Sequence, residues 1–379
     1  MKEMTLLATA AFGLEAVVAR ELKDLGYPET QVENGRVMFK ADLAAIPRVN
    51  LWLRSADRVL LVLGEFETTS FDDLFEQTKA LPWADWIPEN GEFPVSGKSV
   101  RSKLFSVPDC QAIVKKAVVE SLNNQYRTSW FMEDGPKFPI QVALLKDRAT
   151  LTIDTSGQGL HKRGYRRKAG EAPLRETLAA ALVMLSHWRH DRLLLDPFCG
   201  SGTILIEAAL IGDNIAPGLT RRFAAEGWPA IPESLWREAR THASSVMVDN
   251  EMDLQGSDID ARVLETAREN ADNAGVAEKI HFQRRDIMDV RSSWKYGCLI
   301  TNPPYGQRLE DACTAQALYK KLGQVAAPWD TWSLYVLTAH PDFETYFRRP
   351  AAKKRKLYNG RIQCNYYQYP GPRPPRKTE

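Results

Sequence analysis

Two short loops carry residues whose types and order suit one kind of chemistry. Residues 299–305 read LITNPPY, an apolar run that delivers Asn302 to a strand end, followed by Pro303 and Pro304, which stiffen the loop. An amine conjugated with an aromatic ring is a poor nucleophile, because its lone pair is delocalised into the ring. Two acceptors aimed at the amine protons hold the nitrogen toward tetrahedral geometry and stabilise the positive charge that grows on it. The side-chain oxygen of Asn302 is one such acceptor and the Pro303 carbonyl the other. Tyr305 is expected to stack on the base that carries the amine. No metal and no general base of unusual pKa is required, because a sulfonium supplies the electrophilic methyl group. Asn-Pro-Pro is also a common turn signal, so the reading depends on what precedes it.

What precedes it is a Gly-rich turn. Residues 193–209 read LLLDPFCGSGTILIEAA: an apolar strand, the loop Asp196, Pro197, Phe198, Cys199, Gly200, Ser201, Gly202, and a helix from Thr203. Gly200 and Gly202 allow a sharp turn and a close backbone approach to a ligand. A phosphate loop of the Walker type needs Lys and then Ser or Thr after its second Gly. Here Thr203 and Ile204 follow Gly202, which disfavours ATP. Residues 254–260 read LQGSDID, and an acid at the end of a second strand can accept two hydrogen bonds from a ribose diol. Asp258 is the expected ribose ligand and Asp260 the cap of the next helix. Asp286, in HFQRRDIMD, can accept from an adenine amino group, although a surface turn acid is the plainer reading. The expected cofactor-binding set also takes in Thr203, Ile259, Ile287 and Asn302.

These loops need a sheet to hold them. From residue 192 on, apolar strands alternate with helices, which argues for a mostly parallel, doubly wound sheet of the Rossmann type. Leu174, Leu178, Leu182, Leu185 and Trp188 predict one long helix ahead of it. Residues 212–250, with Pro217, Pro229 and Pro232, read as an insertion between the Gly-rich loop and Asp258. Residues 1–155 read as a smaller α+β assembly with a hairpin near Lys146 and Asp147 and a stretch at 82–98 that is mostly loop with room for one short strand.

Composition bounds the rest. The chain has 379 residues, 44% hydrophobic and 26% charged, with a net charge of +2, which suits two or three globular domains. No apolar run reaches membrane-spanning length, and Glu3 and Glu15 argue against a signal peptide, so a cytoplasmic protein is expected. Five scattered cysteines lack metal-ligand spacing, so neither a zinc site nor a disulfide framework is expected. Residues 161–168 read HKRGYRRK, and Lys162, Arg163, Arg166, Arg167 and Lys168 are candidates for gripping phosphates. Arg221, Arg222 and the run from Lys353 to Lys356 are weaker candidates.

DPFCGSG, SDID and NPPY together resemble the amino-methylating class I methyltransferases. LHKRGYRRKAGEAPLRETLAAAL (160–182), NIAPGLTRRFAAEGW (214–228) and LYNGRIQC (357–364) extend the resemblance to the bacterial large-subunit ribosomal RNA guanine-N2-methyltransferase family over essentially the whole chain. The resemblance implies a ferredoxin-like piece at residues 1–50, a THUMP RNA-binding domain at 51–155, a basic linker at 156–170 and a catalytic domain at 171–379. It also implies that Asn302–Tyr305 faces a guanine amine of 23S ribosomal RNA, with S-adenosylmethionine on the loop from Asp196 and on Asp258 and Asp286. The catalytic loop by itself does not choose among flat nitrogens. Adenine N6 in DNA or RNA, cytosine N4, a transfer RNA guanine and a protein glutamine share its chemistry, and a non-catalytic RNA-binding assembly factor is the competing class.

Overall fold

A computed structural model describes residues 3–128, 130–166, 174–306 and 309–375. The chain divides into two compact units, Met1–Ala10 with Val18–Leu160 and Arg221–Ala243, and Ala11–Val17 with His161–Thr220 and Ser244–Glu379. Residues 221–243, part of the stretch read as an insertion, thus belong to the first unit.

The first unit is built on β1 (Met4–Ala10), α1 (Glu15–Asp24), β2 (Thr30–Glu33), β3 (Arg36–Ala41), α2 (Ala45–Trp52), β4 (Ala56–Glu67), α3 (Phe71–Lys79), β5 (Val95–Val100), α4 (Val107–Tyr126), β6 (Ile140–Leu145) and β7 (Arg148–Asp154). The stretch read as mostly loop ends in the edge strand β5, and the short β2 went unread. One seven-stranded sheet runs β2-β3-β1-β4-β7-β6-β5. The long β4 pairs with β1 on one side and β7 on the other, so it joins the two halves through continuous hydrogen bonding. The β6–β7 turn holds Lys146 and Asp147 at φ of 53° and 63°, the left-handed pair that a tight two-residue hairpin needs.

The second unit holds α5 (Glu176–Met184), β8 (Leu194–Asp196) and α6 (Thr203–Gly212). Then come α7 (Glu233–Ser245), most of which belongs to the first unit, β9 (Leu254–Asp258), α8 (Ala261–Asn273), β10 (Ile280–Arg284), β11 (Cys298–Thr301), α9 (Leu309–Ala326), β12 (Ser333–Thr338), α10 (Phe343–Phe347), β13 (Lys353–Asn359) and β14 (Ile362–Tyr369). Its sheet runs β10-β9-β8-β11-β12-β14-β13. The first five strands are parallel, and β14 runs antiparallel to β12 and β13. This is the doubly wound architecture expected from the alternation of strands and helices.

Alternation along each strand explains the two cores. Leu194, Cys298 and Ile300 pack with α5, α6 and α8 on one face, while Leu193, Leu195 and Leu299 pack with α9 and α10 on the other. Each such buried leucine contributes roughly 1.5–3 kcal/mol relative to an exposed one. The helix expected over 174–188 stops at Met184. Ser186 ends it, its hydroxyl donating to the Val183 carbonyl at 2.6 Å and accepting from the Trp188 amide at 3.0 Å. Trp188 then folds back onto the core, its indole N–H bonded to the Arg192 carbonyl at 2.9 Å. Among the described residues no helix is long and apolar enough to cross a membrane.

Candidate active site

The Gly-rich loop leaves the carboxyl end of β8 and is pinned to the end of β9. The Cys199 amide donates to the Ser257 carbonyl at 3.0 Å, and the Gly200 amide to Asp258 Oδ2 at 3.1 Å. The other oxygen of Asp258 accepts the Asp260 amide at 3.1 Å. The two glycines serve different ends. Gly200 has φ +52°, and a Cβ there would meet nothing within 4 Å, so this turn is open to a ligand. Gly202 has φ +79°, and a Cβ there would lie 2.9 Å from the Phe282 ring and 3.2 Å from Ala267, so this glycine lets α6 start close against β10 and α8. Ser201 is held through its carbonyl by Asn270 Nδ2 at 3.1 Å and through its hydroxyl by Thr203 at 3.3 Å. Pro197 continues the turn, Phe198 packs on the second core, and burial pushes the Cys199 thiol well above its ordinary value. That thiol is therefore packing, not a nucleophile.

Asp258 is half-buried with spare lone pairs on both oxygens, and Ile259 beside it is 63% exposed. An apolar side chain next to a carboxylate with spare acceptors could receive an adenosine. Asp260 caps α8 as expected, accepting the Arg262 amide at 2.9 Å. Asp286 caps a short 3-10 turn through the Met288 amide at 2.8 Å and lies 3.7 Å from Lys321. Both contacts fall on Oδ1, and Oδ2 has no partner among the described residues. Ile287 is buried in the core, so its side chain supports the loop from behind.

The NPPY loop leaves the end of β11, the strand beside β8, with Leu299 opposite Leu195. One buried bond joins the two strand ends: Thr301 donates to Asp196 Oδ1 at 2.6 Å. The next residue is Asn302, so NPPY and the Gly-rich loop are neighbours by construction. Burial pushes the Asp196 carboxyl up to about 7, with Asp258 nearby adding to the rise and the Thr301 and Phe198 bonds opposing it. The Pro303 carbonyl has no hydrogen-bond partner among the described residues, whereas the Pro304 carbonyl accepts from the Tyr319 hydroxyl at 2.7 Å. Tyr319 in turn bonds Thr338 at the end of β12 at 2.9 Å, so it moors the loop to the sheet. Tyr305 turns inward. Its hydroxyl donates to Asn302 Oδ1 at 2.5 Å, its ring packs against the first core of this unit, and burial raises it well above the ordinary tyrosine range. The ring is half-buried, so the stacking face expected of it is partly covered in this structure.

The basic segment differs from its expectation. Arg163 is 4% exposed and pairs with the fully buried Glu207 at 3.4 Å, which also accepts from the Tyr165 hydroxyl at 3.1 Å. Arg166 pairs with Glu176 at 3.3 Å and donates to Thr203, the first residue of α6. These two arginines neutralise buried acids, and Arg166 braces the Gly-rich loop, so they are not available to phosphates. Lys162 is exposed, and Arg167 and Lys168 lie outside the described residues. Arg221 is also buried, donating to the Gln158 and Gly159 carbonyls, while the Arg222 side chain is exposed and paired with Glu226. Sequence reasoning missed Thr301, Tyr319, Glu176 and Glu207. Each has its partner ten or more residues away along the chain, beyond the reach of a local motif. Among the described residues no group of three or more His, Cys, Asp or Glu side chains is placed to hold a metal.

Comparison with known proteins decides the family. Residues 163–368, more than half the chain, match the family described as RMKL-like, methyltransferase domain. The chain belongs to this methyltransferase family. Residues 5–60 match the RlmL ferredoxin-like domain and residues 68–154 the THUMP domain. The Bacillus subtilis protein "Putative RNA methyltransferase YpsC" is 51% identical to this methyltransferase over 372 residues, 97% of this chain and 96% of that one. A structure from Listeria monocytogenes titled as a predicted N6-adenine-specific DNA methylase is 52% identical, covers 98% and 97% of the two chains and superposes with a TM-score of 0.94. The structure of SMU.472 complexed with SAH is 46% identical, covers 99% and 100% and gives a TM-score of 0.94. TrmN from Thermus thermophilus, at 23% identity and a TM-score of 0.70, shares the fold.

Proposed function

We propose that this methyltransferase transfers a methyl group from S-adenosylmethionine to the exocyclic N2 amine of a guanine in large-subunit ribosomal RNA. One observation carries the chemistry: the Thr301–Asp196 bond at 2.6 Å sets the amine-binding loop beside the open Gly200 turn. The cofactor is S-adenosylmethionine, and the residues fit it. Gly200 leaves room for its amino-acid end, Asp258 offers acceptors for a ribose diol, and Asp286 offers one for the adenine amino group. When bound, it supplies an electrophilic methyl group next to Asn302.

The chain's own part is to shape the acceptor nitrogen. Asn302 Oδ1 and the Pro303 carbonyl accept the two amine protons, which turns the nitrogen lone pair toward the methyl group and stabilises the developing charge. Once the nitrogen carried the methyl group, these two acceptors would still hold its protons until one leaves to water. Tyr305, rotated outward, stacks on the guanine.

The THUMP match and the B. subtilis relative favour RNA over DNA, whereas the name of the L. monocytogenes structure points to adenine in DNA. The two readings separate in one assay. Purified protein with labelled S-adenosylmethionine is offered 23S ribosomal RNA transcripts, transfer RNA and duplex DNA, and the modified nucleosides are identified by mass. N2-methylguanosine from 23S RNA is expected. Methyladenine from DNA alone would replace this proposal.

A further inference from the structure

The parallel sheet of the second unit has two ends, and the loops above leave its carboxyl end. The amino end, where the chain enters β8 and β11 and leaves β14, holds a cavity of about 790 Å³. That is the size of a ligand pocket. Arg192, 8% exposed, builds it. Its guanidinium donates to the carbonyls of Tyr296 at 2.7 Å, His187 at 2.6 Å and Gly297 at 3.3 Å, tying the segment before β8 to the segment before β11. Arg192 also reaches Ser333 Oγ at 3.4 Å, and that oxygen accepts the Gly371 amide at 3.1 Å, which brings residues 371–375 onto the third side. The cavity is therefore preformed by buried hydrogen bonds.

Its charge and its aromatic rim select a ligand. Among the described residues Arg192 bonds only to neutral oxygens, so no carboxylate pairs with it directly. Arg189, Lys295 and Arg373 line the rim against one carboxylate, Asp191, which lies 3.0 Å from Arg189. Trp294 is 56% exposed at the mouth, and its carbonyl is fixed by the Trp332 indole N–H at 2.9 Å. A large ring anchored by its backbone and left in water, next to Lys295 and Arg373, which have no ion-pair partner among the described residues, is what a base with flanking phosphates stacks upon.

We propose that this cavity is a second RNA-binding site, which takes an unpaired nucleotide of the substrate RNA with its base on Trp294 and its phosphates against Lys295 and Arg373. The proposal rests on the reading of the substrate as RNA. The site lies at the other end of β8 and β11 from Asn302, so the nucleotide it holds is not the one methylated. It adds affinity and leaves the chemical step alone.

The test uses the full chain with the exposed-residue variants W294A, W294F and K295E. Binding of a fluorescein-labelled oligouridylate of about fifteen nucleotides is followed by anisotropy across salt concentrations. W294A and K295E are each expected to weaken binding roughly tenfold, W294F to recover most of it, and K295E to flatten the salt dependence by about one ion. In 23S RNA methylation the same variants raise KM and leave kcat and S-adenosylmethionine affinity unchanged. Unchanged oligouridylate affinity in both W294A and K295E overturns this site while wild-type RNA methylation still supports the proposed function. Complete displacement of the oligonucleotide by an equal concentration of uridine monophosphate also overturns it, in favour of a free-nucleotide site. A wild-type chain that methylates no RNA fails the underlying reading instead.

Discussion

The hydroxyl of Tyr305 donates to the side-chain oxygen of Asn302 across 2.5 Å. The proposed reaction asks that same oxygen to accept from the target amine, so an incoming guanine displaces the tyrosine hydroxyl and frees the ring. Phe at 305 keeps the stacking surface and drops the competing donor, whereas Ala drops both. Y305F is expected to hold kcat within roughly threefold and Y305A to lose more than about tenfold. Single-turnover methylation measures both, and equal losses would assign the hydroxyl, not the ring, to the reaction.

Asn302 and Asp258 separate chemistry from cofactor binding. N302A removes an acceptor used in the transition state, so kcat falls about 10²- to 10³-fold with S-adenosylmethionine affinity nearly unchanged. D258A removes the carboxylate that holds the Gly200 turn and offers itself to a ribose, so cofactor affinity falls roughly 10- to 100-fold. Calorimetry with S-adenosylmethionine on both variants checks the contrast. Parallel losses of cofactor affinity would show that Asn302 holds cofactor more than substrate.

Tyr319 moors the catalytic loop through the Pro304 carbonyl and touches no reacting atom. Y319F leaves that carbonyl and Thr338 without their partner, at about 1–3 kcal/mol. Because the loss loosens the loop that aims Asn302, kcat should drop roughly tenfold while the KM for RNA and the cofactor affinity stay put. A lowered melting temperature with unchanged kcat would make the bond structural only.

Asp196 makes stability depend on pH. Burial raises its folded-state value from 3.8 to about 7, so the folded chain prefers the protonated acid. Its favourable contribution is complete below the unfolded value and is lost as pH rises through about 7. D196N does not titrate and still accepts from Thr301. Urea melts from pH 5 to pH 8 should show the variant gaining stability relative to wild type as pH rises. A constant gap across that range would mean the carboxylate is compensated in the folded state.

The motifs and the alternation of apolar segments were legible because each is local. A strand end, a turn and a helix start lie within about ten residues, and a parallel strand buried on both faces reads as an unbroken apolar run, as at residues 193–195. From that alone followed the doubly wound sheet, the Gly-rich turn, the helix cap at Asp260 and the order of the three acidic or polar strand ends. The early stop of α5 at Ser186 was written locally too, but its signal is a competing hydroxyl that hydrophobic spacing overrides.

Tertiary structure decided what each charge does. Arg163 and Arg166 look like a phosphate grip in the sequence, since a basic run carries no mark of the acids it will meet. Folding places Glu207 and Glu176 against them, and a buried carboxylate claims a guanidinium more firmly than a solvated surface does. Which carbonyl Tyr319 holds and how Arg192 shapes the far end of the sheet are likewise set by residues distant in sequence. Periodicity reports which face of an element is buried; only the packed sheet determines which polar atoms are brought together there.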